Sequence, residues 1–161
     1  MPVMHSVMEG RTALTQHLML RIETTRPFEI VDITSAVANV VAAAGLREGM
    51  TMVQTRHTTT GLLINEHEPL LFEDLQKMFE RLAPAWAIYA HDDPARRVVN
   101  LTANERRNGH AHCRAALLRA SESVMVAGGA LGLGQWQRIL FVDCDGGQPR
   151  DLSVTLIGDY R

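Results

Sequence analysis

Three histidines stand in small polar clusters far apart along the chain. His57 lies in Thr55-Arg56-His57-Thr58-Thr59-Thr60-Gly61, His91 in Tyr89-Ala90-His91-Asp92-Asp93, and His112 in Asn108-Gly109-His110-Ala111-His112-Cys113-Arg114. Imidazole is the commonest neutral side-chain ligand for zinc-like ions, and three protein ligands leave one coordination position for water or substrate. Acids stand near two of the three: Asp92 and Asp93 follow His91, and Glu66 comes nine residues after His57. Such a set could serve a catalytic metal or an anion. The separations are long, so only a tertiary fold can bring the rings together.

The residues around each histidine leave alternatives open. Thr58, Thr59 and Thr60 either favour a strand through β-branching or ring an anion with hydroxyl donors beside Arg56. His110 and His112 point about 200° apart on a helix, so at most one of them serves as a ligand. The amino end of that helix, at Asn108-Gly109, is an anion site in its own right because its amides point outward. Cys113 reads as a buried apolar cysteine, since nothing orders a Cys–His pair at adjacent positions. The run Gly128-Gly129-Ala130-Leu131-Gly132-Leu133-Gly134 falls between strands and opens no helix, so it reads as a hairpin and loop, not a dinucleotide fingerprint. Trp136, between Gln135 and Gln137, is either core or a surface for stacking a heteroaromatic ring.

The elements that must position these groups follow from periodicity. Leu14 to Glu23 alternates as a half-buried strand, with Leu14, Gln16, Leu18, Leu20 and Ile22 on one face. Asp32 or Thr34 can cap a helix through Ala44, and Gly45 stops it. Met50 to Arg56 is a second strand running into the threonines, and Gly61 to Ile64 a third that Asn65-Glu66 leaves. A helix starts near Pro69 and ends before Pro84, with Leu71, Phe72, Leu75, Met78, Phe79 and Leu82 apolar. Trp86 to Asn108, with Arg96-Arg97 and Arg106-Arg107, reads as a long functional loop. A helix capped by Asn108 follows. Then come buried strands at Ser123–Ala127 and Arg138–Asp143, and an alternating one through Leu152, Val154 and Leu156. Residues 1–161 thus form a single compact α+β domain with mixed β-sheets and about three helices.

Composition narrows the function. A net charge of −2 and 5% aromatics argue against electrostatic or stacking recognition of nucleic acid. No stretch of about 18 apolar residues offers a membrane span, and Met1 to Ser6 lacks the pattern of a signal peptide. Cys113 and Cys144 form no Cys-x-x-Cys pair and suit a reducing cytoplasm. The only lysine, Lys77, lies on the polar side of a helix four residues after Glu73. A paired surface lysine is a poor Schiff-base nucleophile.

Several motifs in one order carry a resemblance. His57-Thr58-Thr59-Thr60-Gly61-Leu62-Leu63-Ile64-Asn65-Glu66, then Tyr89-x-His91-Asp92, Ala111-His112, Gly134-x-Trp136-Gln137 and Asp145-Gly146 together resemble the YjbQ family, described as secondary thiamine-phosphate synthases. The resemblance spans about Arg11 to Tyr160. It departs at Gln135, where the family has threonine, and at Asp145-Gly146-Gly147-Gln148-Pro149-Arg150, which lengthens an Asp-Gly-Pro-Arg turn. It implies a compact α+β domain that forms a homotrimer. It also implies a divalent metal, zinc first, on His57, His91 and His112. Glu66 and Asp92 would be catalytic, and Arg56, Thr58, Thr59, Asn65, Arg114, Trp136 and Gln137 would bind a small phosphorylated substrate. The implied reaction joins a pyrimidine pyrophosphate to a thiazole phosphate. Metal-assisted hydrolysis and non-catalytic ligand binding are the other two readings of the same residues.

Overall fold

The computed structural model describes residues 14–102 and 105–160. The alternation at the start becomes β1 (Leu14–Glu23), which pairs antiparallel along its whole length with the last strand, β8 (Pro149–Tyr160). Between them in sequence lie β2 (Glu29–Asp32), α1 (Thr34–Ala44), β3 (Leu46–Thr55), β4 (Thr60–Glu66) and α2 (Pro69–Leu82). A single 3₁₀ turn at Ala90–Asp92 precedes α3 (Gly109–Ala115), and β5 (Ser121–Ala127), β6 (Ala130–Leu131) and β7 (Gln137–Asp143) follow. Five strands form one sheet in the order β1-β8-β3-β5-β6, and three form a second, β2-β7-β4.

The two sheets share one core. Val53, Leu152, Val154 and Leu156 from the larger sheet meet Leu62, Ile139 and Phe141 from the smaller, and Val37 and Val41 of α1 close it. Phe141 is fully buried; truncating it to alanine would cost about 3–5 kcal/mol in lost transfer energy and cavity. The helices begin and end for local reasons. Asp32 accepts the Thr34 N–H at 2.9 Å, and Gly45 at φ 73° ends α1 in the left-handed region. Glu68 caps α2 by accepting the Leu70 and Leu71 N–H groups at 2.9 and 2.7 Å, with Pro69 in the first turn.

The sheets are antiparallel in every ladder, not mixed. Parallel neighbours need a crossover within one sheet; here α1 instead carries the chain from β2 in the small sheet to β3 in the large one. Two strands escape the periodicity because they are four and two residues long. β5 is half-buried, its residues alternating between core and solvent, where a buried strand was expected. Glu122 at its start stays buried by pairing with Arg119 at 3.1 Å.

Candidate functional site

Between β3 and β4 the chain steps from one sheet to the other through Arg56–Thr59, and this step positions His57. The Thr55 and Thr60 hydroxyls bond each other across it, Thr60 donates to the His57 carbonyl at 3.2 Å, and the His57 N–H reaches the Thr55 hydroxyl at 3.3 Å. The imidazole then lies against β8, where its Nε2 accepts the Asp151 N–H at 2.9 Å. An accepting Nε2 leaves the proton of the neutral ring on Nδ1, which is therefore a donor. Burial, followed by the nearby Arg150 guanidinium, holds the pKa of His57 below the ordinary histidine value.

Beneath this histidine lies a fixed ionic floor. Arg150, 4% exposed, donates from Nε and Nη2 to the fully buried Asp143 at 2.8 Å each, to the Asp145 carbonyl at 2.6 Å and to the Thr59 hydroxyl at 3.3 Å. Thr24 adds a donor to Asp143 at 2.8 Å. A buried charge persists only with its partners, so this network ties β1, β7, β8 and the Thr59 step together.

The facing wall carries the other two histidines. His91 sits in the 3₁₀ turn and His112 on α3, with ring centroids 4.5 Å apart. Asp92 holds this wall in place: its Oδ1 accepts the N–H groups of Asn108 and Gly109 at 3.0 and 2.9 Å. Burial opposes its ionisation, but those amides and His91 outweigh burial and lower its pKa. The amino end of α3, expected to face an external anion, is thus filled by the chain's own carboxylate. Gly109 permits the approach, since a Cβ there would lie 2.5 Å from the Tyr89 Cβ. Burial, then His91 and Arg97, depress the pKa of His112.

Arg56, His57, Thr58, Thr59, His91 and His112 all line one cavity of about 630 Å³, together with Arg97, Arg106, Asn108, Asp145 and Arg150. The sequence did not single out Arg97 or Arg106 as site residues; the arginine pairs in an aperiodic loop were the available signal. Arg114 does not reach the cavity. It is 3% exposed, donates to the Ala83 carbonyl at 2.9 Å, pairs with Glu80 and lies 6.0 Å over the Phe28 ring. Its role here is to tie α3 to the end of α2. Asn65 and Glu66 sit at the far end of β4, in register with Arg138 and Gln137. At about 3.3 Å per residue that end is roughly 20 Å from the Thr60 end. Gln137 closes the Gly134 turn by accepting its N–H at 2.8 Å, and Trp136 stands 64% exposed beside it. Cys113 is exposed, contrary to expectation, whereas Cys144 is buried and its thiol is pushed up to about 12.

The residues of one chain do not fit a three-histidine zinc centre. Among the described residues no group of three or more histidines, cysteines or acids gathers in a metal-holding arrangement. His57 shows why: a metal on Nδ1 would require the proton on Nε2, where the Asp151 N–H already donates. Of the three histidines, His91 and His112 have their ring centroids 4.5 Å apart.

The protein is thus a two-sheet α+β domain with a basic, histidine-lined cavity at the step between its sheets. The chain belongs to the YjbQ family: a family profile described as "UPF0047 protein YjbQ-like" matches residues 19–159. A UPF0047 protein of Methanothermobacter thermautotrophicus is 39% identical over 144 residues, covering 89% of this chain and 92% of that protein. The UPF0047 protein YugU of Bacillus subtilis is 31% identical over 140 residues, 86% and 97% of the two chains. The crystal structure of a YbjQ-like protein of unknown function from Sulfolobus solfataricus P2 superimposes with a TM-score of 0.80 at 28% identity, covering 91% of this chain and 99% of that one. Among the described residues no helix is long and apolar enough to cross a membrane.

Proposed function

We propose that the cavity binds a small phosphorylated molecule and that joining a pyrimidine pyrophosphate to a thiazole phosphate, with release of pyrophosphate, is a side activity of that site. The observation that carries this reading is the meeting of Arg56, His57, Thr58, Thr59 and His112 on one cavity. Arg56 supplies a charge, His57 a fixed Nδ1–H donor, and the threonines hydroxyl donors, the groups a phosphate oxygen seeks. His112, with a depressed pKa and no hydrogen bond to its ring among the described residues, is the group suited to accept a proton.

Titrating the protein with inorganic phosphate while following the histidine ring nitrogens by NMR tests the binding. His57 and His112 should shift; silence at both up to tens of millimolar would refute the reading. Pyrophosphate release from the two heterocycles, compared between wild type and Arg56→Ala, tests the transfer. Zinc dependence is read in the same assays. Among the described residues no group of three or more potential ligands gathers, so a chelator should leave phosphate binding unchanged.

We also propose a cytoplasmic homotrimer. The outward face of the larger sheet supports assembly, since Met125 is 61% and Met19 50% exposed there. The two free cysteines support the compartment. Light scattering that returns a monomer or dimer mass would overturn the trimer.

A further inference from the structure

The charges around the cavity cancel more than their number suggests. Arg97 pairs with Glu105 at 2.9 Å, Arg106 with Asp145 at 3.0 Å, and Arg150 with Asp143 at 2.8 Å. Arg56 is left without a carboxylate within ion-pair distance among the described residues; its Nη1 meets only the Met19 sulfur, at 3.9 Å. His57 and His112 are both held below the ordinary histidine pKa, so neither adds a full charge at neutral pH. One uncompensated cation balances one phosphate group better than two.

A second cavity continues the first. It measures about 550 Å³ and shares Arg56, His57, Thr58 and His112 with the charged one. Beyond those shared residues its wall is made of Ala115, Ala116, Leu118 and Ala120, with Thr55 and Thr60 at the sheet step. Small side chains leave a smooth apolar surface, and none of them offers a charge. A compact apolar body would lose water there without stranding a polar group.

We infer that the two cavities form one bipartite site for a monophosphate ester with a flat, compact apolar body, its phosphate at Arg56, His57 and Thr58 and its body on the Ala115–Ala120 wall. This rests on the proposed phosphate reading and adds to it the charge of the head and the place of the body. Of the two molecules in the proposed transfer, the thiazole monophosphate has this shape. The body surface is the alanine wall; the exposed Trp136, at the opposite end of the small sheet, takes no part.

Binding of inorganic phosphate, pyrophosphate and phenyl phosphate to the full chain, by calorimetry or histidine NMR, tests it. Phenyl phosphate should bind about tenfold or more tightly than phosphate, and pyrophosphate within about threefold of phosphate. Ala116→Phe fills the apolar wall at an exposed position, so it should remove the phenyl advantage and leave phosphate affinity intact. Ala120→Phe, at the other end of the wall, does the same should the first variant fold poorly. Phosphate binding with no phenyl advantage, or an advantage that survives both wall variants, overturns the inference and leaves the phosphate reading standing. Pyrophosphate binding tenfold tighter than phosphate overturns the single-phosphate head. No binding by any of the three overturns both.

Discussion

The two ends of the small sheet differ in almost every property that matters for chemistry. At one end, Thr60 of β4 is in register with Asp143 of β7, which belongs to a buried ion pair beside a tautomer-fixed histidine and a cavity of about 630 Å³. At the other, Glu66 is paired in register with Gln137, next to an exposed tryptophan on a glycine turn. Both ends carry residues of the family's motifs. What separates them is support. The first end is crossed by β1, β8 and the Thr55–Thr60 step, so its polar groups are held by several elements at once. The second is a strand end and a turn; its ties to β2, His67 to Asp32 at 2.9 Å and Arg138 to Asp32 at 3.9 Å, run between partly exposed side chains.

Breaking the support should have the largest effect. Arg150→Ala leaves Asp143 buried and unpaired, and should destabilise the protein by about 3–5 kcal/mol in urea unfolding. A loss under about 1 kcal/mol would mean that the floor is wetter than its burial implies. Next, Asp92→Ala removes a charged acceptor from the two amides at the head of α3 and should cost about 2 kcal/mol. It should also disturb the His91–His112 wall, visible as altered histidine ring shifts. Arg56→Ala should weaken phosphate about tenfold with stability unchanged, because the side chain is exposed and bears the free charge of the cavity. Glu66→Gln, at the end away from the cavity, should change phosphate affinity by less than about twofold. A hundredfold fall in turnover on the heterocycle pair would break the comparison, because only a neighbouring copy could bring that end of β4 to the histidines.

Acid titration sharpens the same contrast. His57 and His112 have folded-state pKa values below the unfolded value of 6.5, chiefly through burial. Above that value both states are neutral and stability is unaffected. As pH falls through 6.5, the unfolded chain takes up protons that the folded rings resist, so stability declines until the lower folded values are passed. Replacing both histidines by glutamine should flatten the curve just below pH 6.5. An unchanged slope would show that other groups carry it.

Much of the fold was legible because it is local. The alternation of Leu14–Glu23 matches β1 residue for residue, and Pro69 with Pro84 brackets α2. The helical stripe ending at Gly45 matches α1, whose stop is a left-handed glycine. β2 and β6 were not legible, since four and two residues hold too few alternations to register. The all-antiparallel pairing was not legible either, because which sheet a strand joins depends on partners far away in sequence.

The site divides in the same way. The reactive groups were visible in the chain: His57 beside threonines, His91 beside Asp92, His112 beside the start of a helix, and arginine pairs in an aperiodic loop. How each is used follows from contacts made far along the chain. Asp92 lies 17 residues from Gly109 yet fills the head of α3. Arg114 shares a helix with His112 yet is drawn under α2 by Glu80. The Nε2 of His57 is occupied by an amide 94 residues away. A side chain's type fixes what it can donate or accept. Its role depends on which partner satisfies it first, and in a folded chain that partner is set by strand register and sheet order rather than by sequence neighbours.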